Sequence, residues 1–154
     1  MKYNTVNEYD HFEFDDVHIS DFESHGIIFN IVLDDVKILP ENSCNRDIRK
    51  MRTNELVFSI ENASIVTLIE EGYKIYNADG VLMSEDEDKV LDESSYKEVF
   101  DCMPDGYAFS ITKEPCDDKF KYTFVLDGTN EKTYTLIVEG TADRQEWDRF
   151  MNLE

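Results

Sequence analysis

Phe14-Asp15-Asp16-Val17-His18-Ile19 and Leu33-Asp34-Asp35-Val36-Lys37-Ile38 share one pattern, apolar-Asp-Asp-Val-polar-Ile, nineteen residues apart. Upstream of the first copy, Phe12 and Phe14 alternate with acids; downstream, Val17 and Ile19 alternate with polar residues. Side chains along a strand point to opposite faces in turn. The apolar phase therefore flips across Asp15-Asp16, as it would at a β-bulge or a corner. Two copies fall short of the three that a solenoid needs. The reading is of two adjacent strands with matched bulges.

Period two also governs most of the rest. Gly26 to Leu33 reads as a buried strand, and Glu55 to Ile60 and Ser64 to Tyr76 as further strands, with a turn at Glu61-Asn62 and a break at Gly72. Asn77-Ala78-Asp79-Gly80 is a turn into Val81-Leu82-Met83. Pro40 to Asn54 is a polar connection of fifteen residues, long for a structureless loop. Ser84 to Ser95 holds six acids and one lysine and reads as a solvated loop. Tyr96, Val99, Phe100 and Met103 have helical spacing, ended by Pro104. Tyr107 to Thr112, Phe120 to Leu126 and Thr133 to Glu139 alternate as strands, the last two joined through Asp127-Gly128-Thr129-Asn130. Asp143 and Glu146 have capping-box spacing, and Trp147, Phe150 and Met151 follow at i, i+3, i+4, which predicts an amphipathic helix over 141–152. The expected fold is mainly β: one domain spanning 1–154, an antiparallel barrel or bent sandwich with that C-terminal helix packed on it.

The chain has 154 residues, a formal charge of −20 from fifteen bases and thirty-five acids, and 12% aromatic residues. The aromatic content separates it from disordered acidic chains, which have too little apolar surface to offset the entropy of ordering. The excess charge is spread evenly: eleven acids against five bases in 1–50, twelve against four in 51–100, and twelve against six in 101–154. Such a surface repels phosphate, which argues against nucleic acid and anionic bilayers as partners. The first residues hold no apolar run of signal-peptide length, and no stretch approaches the roughly 18 apolar residues of a membrane helix. Cys44, Cys102 and Cys116 are odd in number and widely spaced, unlike a secreted disulfide framework. These features together point to the cytoplasm.

Each candidate chemistry has a plain counterpart. His11, His18 and His25 recur every seven residues, but an odd spacing puts neighbours on opposite strand faces unless a bulge at Asp15-Asp16 restores the face; ordinary surface histidines are the favoured account and no metal site is assigned. Setting Gly80 at position six of an EF-hand loop puts Ile75 at position one and Asp86 at position twelve, so that motif fails. The doublets Asp15-Asp16, Asp34-Asp35, Glu70-Glu71 and Asp117-Asp118 point to opposite faces of a strand and do not form a glycosidase pair. Acids beside Cys102 and Cys116 raise a thiol's pKa and lower its reactivity. No phosphate-cradling loop, nucleophile elbow or zincin pair is present, and no catalytic residue or cofactor is assigned.

Two clusters remain as candidate partner-binding residues. Glu85, Asp86, Glu87 and Asp88 are a run of acids. Arg46, Arg49, Lys50 and Arg52 interrupt the acidity as either an anion-recognition loop or a set that pairs with the acids around it. Tyr73, Tyr76, Tyr96 and Tyr107 are aromatic anchors if exposed and core if not.

The segments Asp15-Asp16-Val17-His18-Ile19, Ile31-Val32-Leu33-Asp34-Asp35-Val36-Lys37-Ile38-Leu39-Pro40-Glu41-Asn42 and Glu55-Leu56-Val57-Phe58-Ser59-Ile60-Glu61-Asn62 give the first half, Phe12 to Ser64, a rhythm that resembles small bacterial β-rich proteins. Some of those look like immunity proteins of polymorphic toxin systems. The second half, with strands closed by a Trp-bearing C-terminal helix, resembles pleckstrin-homology-like barrels, though without their basic headgroup pocket. The resemblance implies a non-enzymatic cytoplasmic binding protein and carries over no functional residue. The resulting expectation is an acidic protein-binding module that meets a basic protein partner, in concrete form an immunity protein neutralising a basic toxin. The alternative is a small-ligand-binding β barrel or an enzyme of unrecognised type.

Overall fold

The structure is a computed structural model and describes residues 1–153. Strand accounts for 56% of the chain and all pairing is antiparallel, which places it in the mainly-β class. In chain order the strands are β1 (Tyr3–Val6), β2 (Phe12–Glu13), β3 (Val17–His25), β4 (Ile28–Asp34), β5 (Val36–Ile38), β6 (Met51–Thr53), β7 (Leu56–Glu61), β8 (Ser64–Glu70), β9 (Tyr73–Tyr76), β10 (Leu82–Asp86), β11 (Lys89–Val90), β12 (Tyr107–Cys116), β13 (Lys119–Asp127), β14 (Thr133–Gly140) and β15 (Ala142–Trp147). A one-turn helix, α1 (Tyr96–Phe100), precedes β12. No helix among the described residues is long and apolar enough to cross a membrane.

Ten strands form one sheet in the order β1-β15-β7-β4-β3-β12-β13-β14-β8-β11. It does not close into a barrel, because β1 and β11 stand at its two edges. It is nevertheless sharply bent. β4 and β13 are three steps apart, roughly 14 Å in a flat sheet, yet the rings of Phe29 and Phe124 lie 5.1 Å apart. Phe58 of β7 meets Tyr122 and Phe124 of β13 in the same way, at 6.1 and 6.2 Å. The seam between β3 and β12 is short, with Tyr107 opposite His18 and Ala108 opposite Val17.

The bends come from corners in paired strands. Asp16, Asp35 and Glu55 all have positive φ (52°, 59° and 55°), a region that Asp tolerates better than most residues. At these three points β3, β4 and β7 leave the large sheet and continue as the three-stranded sheet β2-β5-β6. The register runs unbroken through the corner, with Leu33 opposite Leu56 before it and Val36 opposite Thr53 after it. Reciprocal hydrogen bonds lock the corner: Asp35 N–H donates to Asn54 Oδ1, and Glu55 N–H to Asp34 Oδ1, both at 2.9 Å. The two Asp-Asp motifs are therefore matched corners on neighbouring strands.

A second corner carries β7 into β8 and β14 into β15. Glu61 opposes Ala142 on one side and Ser64 opposes Glu139 on the other. Glu61-Asn62 is thus a bend in a continuing ribbon, not a hairpin turn. Gly140 is needed there by close approach, since a Cβ would lie 2.1 Å from Ile60 Cγ2 and 2.8 Å from Glu61 O.

The expected helix over 141–152 is corrected by the structure: residues 142–147 are strand β15. Ala142, Asp143, Gln145 and Trp147 are buried, so the inward positions do alternate, but two of them are polar. That hides period two and leaves the helical spacing of Trp147, Phe150 and Met151 as the only apolar signal. Without that helix, the resemblance to pleckstrin-homology-like barrels loses the feature that suggested it. The end of the core is instead covered by the small sheet, through Phe12 against Trp147 at 5.5 Å and Phe14 against Phe58 at 5.3 Å.

Candidate functional site

The segment expected as a solvated loop after Met83 is strand in part, at 84–86 in β10 and at Lys89–Val90 in β11. β8 continues into β9, and β10 into β11, as one ribbon: Glu70 opposes Lys89, and Tyr73 opposes Asp86. The ribbon turns at Gly72. A Cβ there would lie 1.9 Å from Asp86 O, and Gly72 N–H donates to Asp88 Oδ1 at 2.7 Å. Beyond the corner β9 and β10 form a separate two-stranded sheet. Its tip is an Asn-based turn: Asn77 Oδ1 accepts from Asp79 N–H at 2.9 Å and Val81 N–H at 3.0 Å, and Gly80 takes φ +78°. That turn is a backbone device and gathers no ligand set.

Every strand residue of this hairpin is exposed. Tyr73 and Ile75 are each 52% exposed, Tyr76 56% and Met83 63%. Directly opposed residues share a face. Tyr73, Ile75, Ser84 and Asp86 therefore lie on one side, and Lys74, Tyr76, Leu82 and Glu85 on the other. Both faces carry an aromatic, an aliphatic and an acid. Over residues 70–88 seven acids stand against Lys74 alone. Tyr107 is also exposed at 46%, whereas Tyr96 packs on Phe100 at 5.8 Å.

The basic cluster lies elsewhere, on the loop leading into β6, and shares no hydrogen bond or ion pair with the hairpin among the described residues. Arg49 is held by Asp47 (3.2 Å) and Lys50 by Glu13 (2.6 Å). Arg52 Nε donates to Asn152 O at 3.0 Å. Arg46 lines an open groove of about 750 Å³ between its loop and the edge-on rings of Tyr3 and Phe150. A second open groove, about 820 Å³, runs between the β3–β4 turn, the β7–β8 bend and α1.

The histidines do not converge. His11 Nδ1 is 3.0 Å from Glu8, His18 Nδ1 is 2.8 Å from Asp34 and its Nε2 3.3 Å from Asp105, and His25 is 3.2 Å from Glu23. No three His, Cys, Asp or Glu side chains among the described residues form a metal-holding group. The Cys116 thiol is pushed up by burial and by the carboxylates of Glu139 and Asp117.

Sequence reasoning missed a buried polar network. Asp143 is the one fully buried acid among the described residues. Its Oδ2 accepts from Lys113 Nζ at 2.7 Å and Tyr122 Oη at 2.8 Å, and its Oδ1 from Gln145 Nε2 at 2.5 Å. Thr5 Oγ1 donates to Gln145 Oε1 at 2.7 Å. The Lys113 ammonium sits 4.1 Å over the Phe120 ring. Burial, then the charge of Asp143 and the bond to it, hold the Tyr122 phenol far above its ordinary pKa, so it remains a donor. With both oxygens of Asp143 engaged, the network joins β12, β13 and β15. Its only trace in the sequence is the spacing Asp143, Gln145, Trp147.

Compared with family models, with curated proteins and with solved structures, the chain finds no match in any of the three.

Proposed function

We propose that the protein is a non-enzymatic protein-binding module, with the β9–β10 hairpin as its docking arm and a basic protein as its partner. The observation that carries this reading is a hairpin whose strand residues are all exposed while bearing Tyr73, Ile75, Tyr76, Leu82 and Met83. A lone two-stranded hairpin is marginal in water. Apolar side chains left exposed on both of its faces are typical of a surface that a partner covers.

Charge selects the partner. The arm is acidic, and apart from Asp143 the described carboxylates are at least partly exposed, so the exterior field is negative. Such a field speeds encounter with a cationic surface and rejects anionic ones. The aromatic anchors then supply the short-range energy. An immunity protein that neutralises a basic toxin is the concrete form, in keeping with the resemblance of the first half.

The test is co-expression with any toxin encoded beside this gene, paired with full-chain binding to a basic protein measured at low and high salt. The expected result is rescue of growth and an on-rate that falls steeply as salt rises. Replacing Tyr73, Ile75 and Leu82 with Ser should lower affinity without changing the unfolding midpoint. Binding that ignores salt, or a partner that is not basic, would overturn the reading.

A further inference from the structure

We infer that the free strand edge from Leu82 to Val90 takes an extended, Lys- or Arg-bearing segment of the partner by strand addition, an inference that rests on the docking role above and specifies its geometry. β11 is the last strand of the large sheet and β10 is its upstream continuation; each is paired on one side only. Joined through Glu87 and Asp88 at the corner, they make an exposed edge of nine residues that bends there. Its outward backbone N–H and C=O groups are a template for another strand.

The molecule covers one other such edge. The outer side of β6 is taken by the C-terminal segment, where Arg52 and Met151 exchange backbone hydrogen bonds of 2.9 and 2.8 Å. Along 82–90 nothing comparable is present among the described residues, and Leu82, Met83 and Val90 are 45%, 63% and 75% exposed.

The side chains decide the occupant. A second copy pairing antiparallel on this edge would set Glu85 against Asp88 and Asp86 against Glu87, and like charges directly opposed are destabilising. A strand that alternates cations with aliphatics meets the opposite situation: with its cations on the side of Leu82 and Glu85 they face carboxylates, and its aliphatics take the opposite side, the one that carries Tyr73 and Ile75.

The probe is an N-acetylated peptide alternating Lys and Val over about eight residues, matched to the edge. Its comparison is the same peptide with every second amide N-methylated, which keeps the charge and removes the donors along one side. The unmethylated peptide is expected to bind the full chain at low salt, to protect amides within Leu82–Val90 from hydrogen exchange, and to bind about tenfold or more tightly than the methylated one. Glu85→Lys combined with Glu87→Lys, at two exposed side chains that hold no ion pair, should abolish binding. Equal binding of the two peptides, or protection elsewhere, would remove strand addition and leave the acidic docking surface standing. Binding of neither peptide would remove both.

Discussion

Asp143→Ala gives the sharpest reading of what holds the bent sheet together. The substitution deletes an acceptor that serves Lys113, Tyr122 and Gln145 at once. Lys113 is only 14% exposed, so its ammonium would be left largely buried without a counter-charge. Removing one partner of a buried pair costs about 3–5 kcal/mol. With a urea dependence of roughly 2 kcal/mol per molar, the unfolding midpoint should fall by about 2 M. Trp147, the single tryptophan and fully buried in the same strand, reports the transition by fluorescence. The control is Lys113→Met with Asp143→Leu, which removes both charges and should recover part of the loss, leaving about 2 kcal/mol or more for the stranded Tyr122 and Gln145 donors. The reasoning fails if Asp143→Ala costs less than about 1 kcal/mol, or if the double substitution costs the sum of the two singles, since that would mean no coupling.

Three further outcomes follow from the same coordinates. Tyr122 has a folded pKa raised above its unfolded value of about 10, so above that pH the unfolded chain loses its proton first and stability falls as pH rises; Tyr122→Phe should flatten this alkaline loss while lowering stability at neutral pH, as read by melting temperature across pH. Gly140→Ala should destabilise by about 1–3 kcal/mol in urea unfolding, because its methyl would overlap Ile60 and the Glu61 carbonyl at the second corner. Asp35 sits at φ 59°, so Asp35→Gly should be tolerated and Asp35→Val should cost about 1–2 kcal/mol by thermal melting.

The class of the fold and its first bends were legible in the residues alone. Strand periodicity is a local property, and apolar side chains that alternate along Phe29, Ile31 and Leu33 or Leu56, Phe58 and Ile60 can satisfy it only as half-buried strands. The phase flips at Asp15-Asp16 and Asp34-Asp35 were legible for the same reason. A short polar residue that accepts positive φ, placed between two apolar runs out of phase, announces a corner wherever the strands pair. The even spread of acids likewise foretold a negative exterior, because carboxylates stay in water unless something pays for their desolvation.

Where that desolvation is offset depends on contacts between distant strands. Asp143 and Gln145 point inward because Lys113, Tyr122 and Thr5, brought in from distant strands, supply the missing hydrogen bonds, and no local pattern records partners so far away in the chain. Polar residues at inward positions erased the strand signal of 142–147 and let the spacing of Trp147, Phe150 and Met151 imitate a helix. The exposed β9–β10 hairpin was hidden for the opposite reason. Tyr73, Ile75 and Leu82 alternate like core residues, and their exposure follows from the corner at Gly72, which carries the ribbon past the last strand of the sheet that could have covered them.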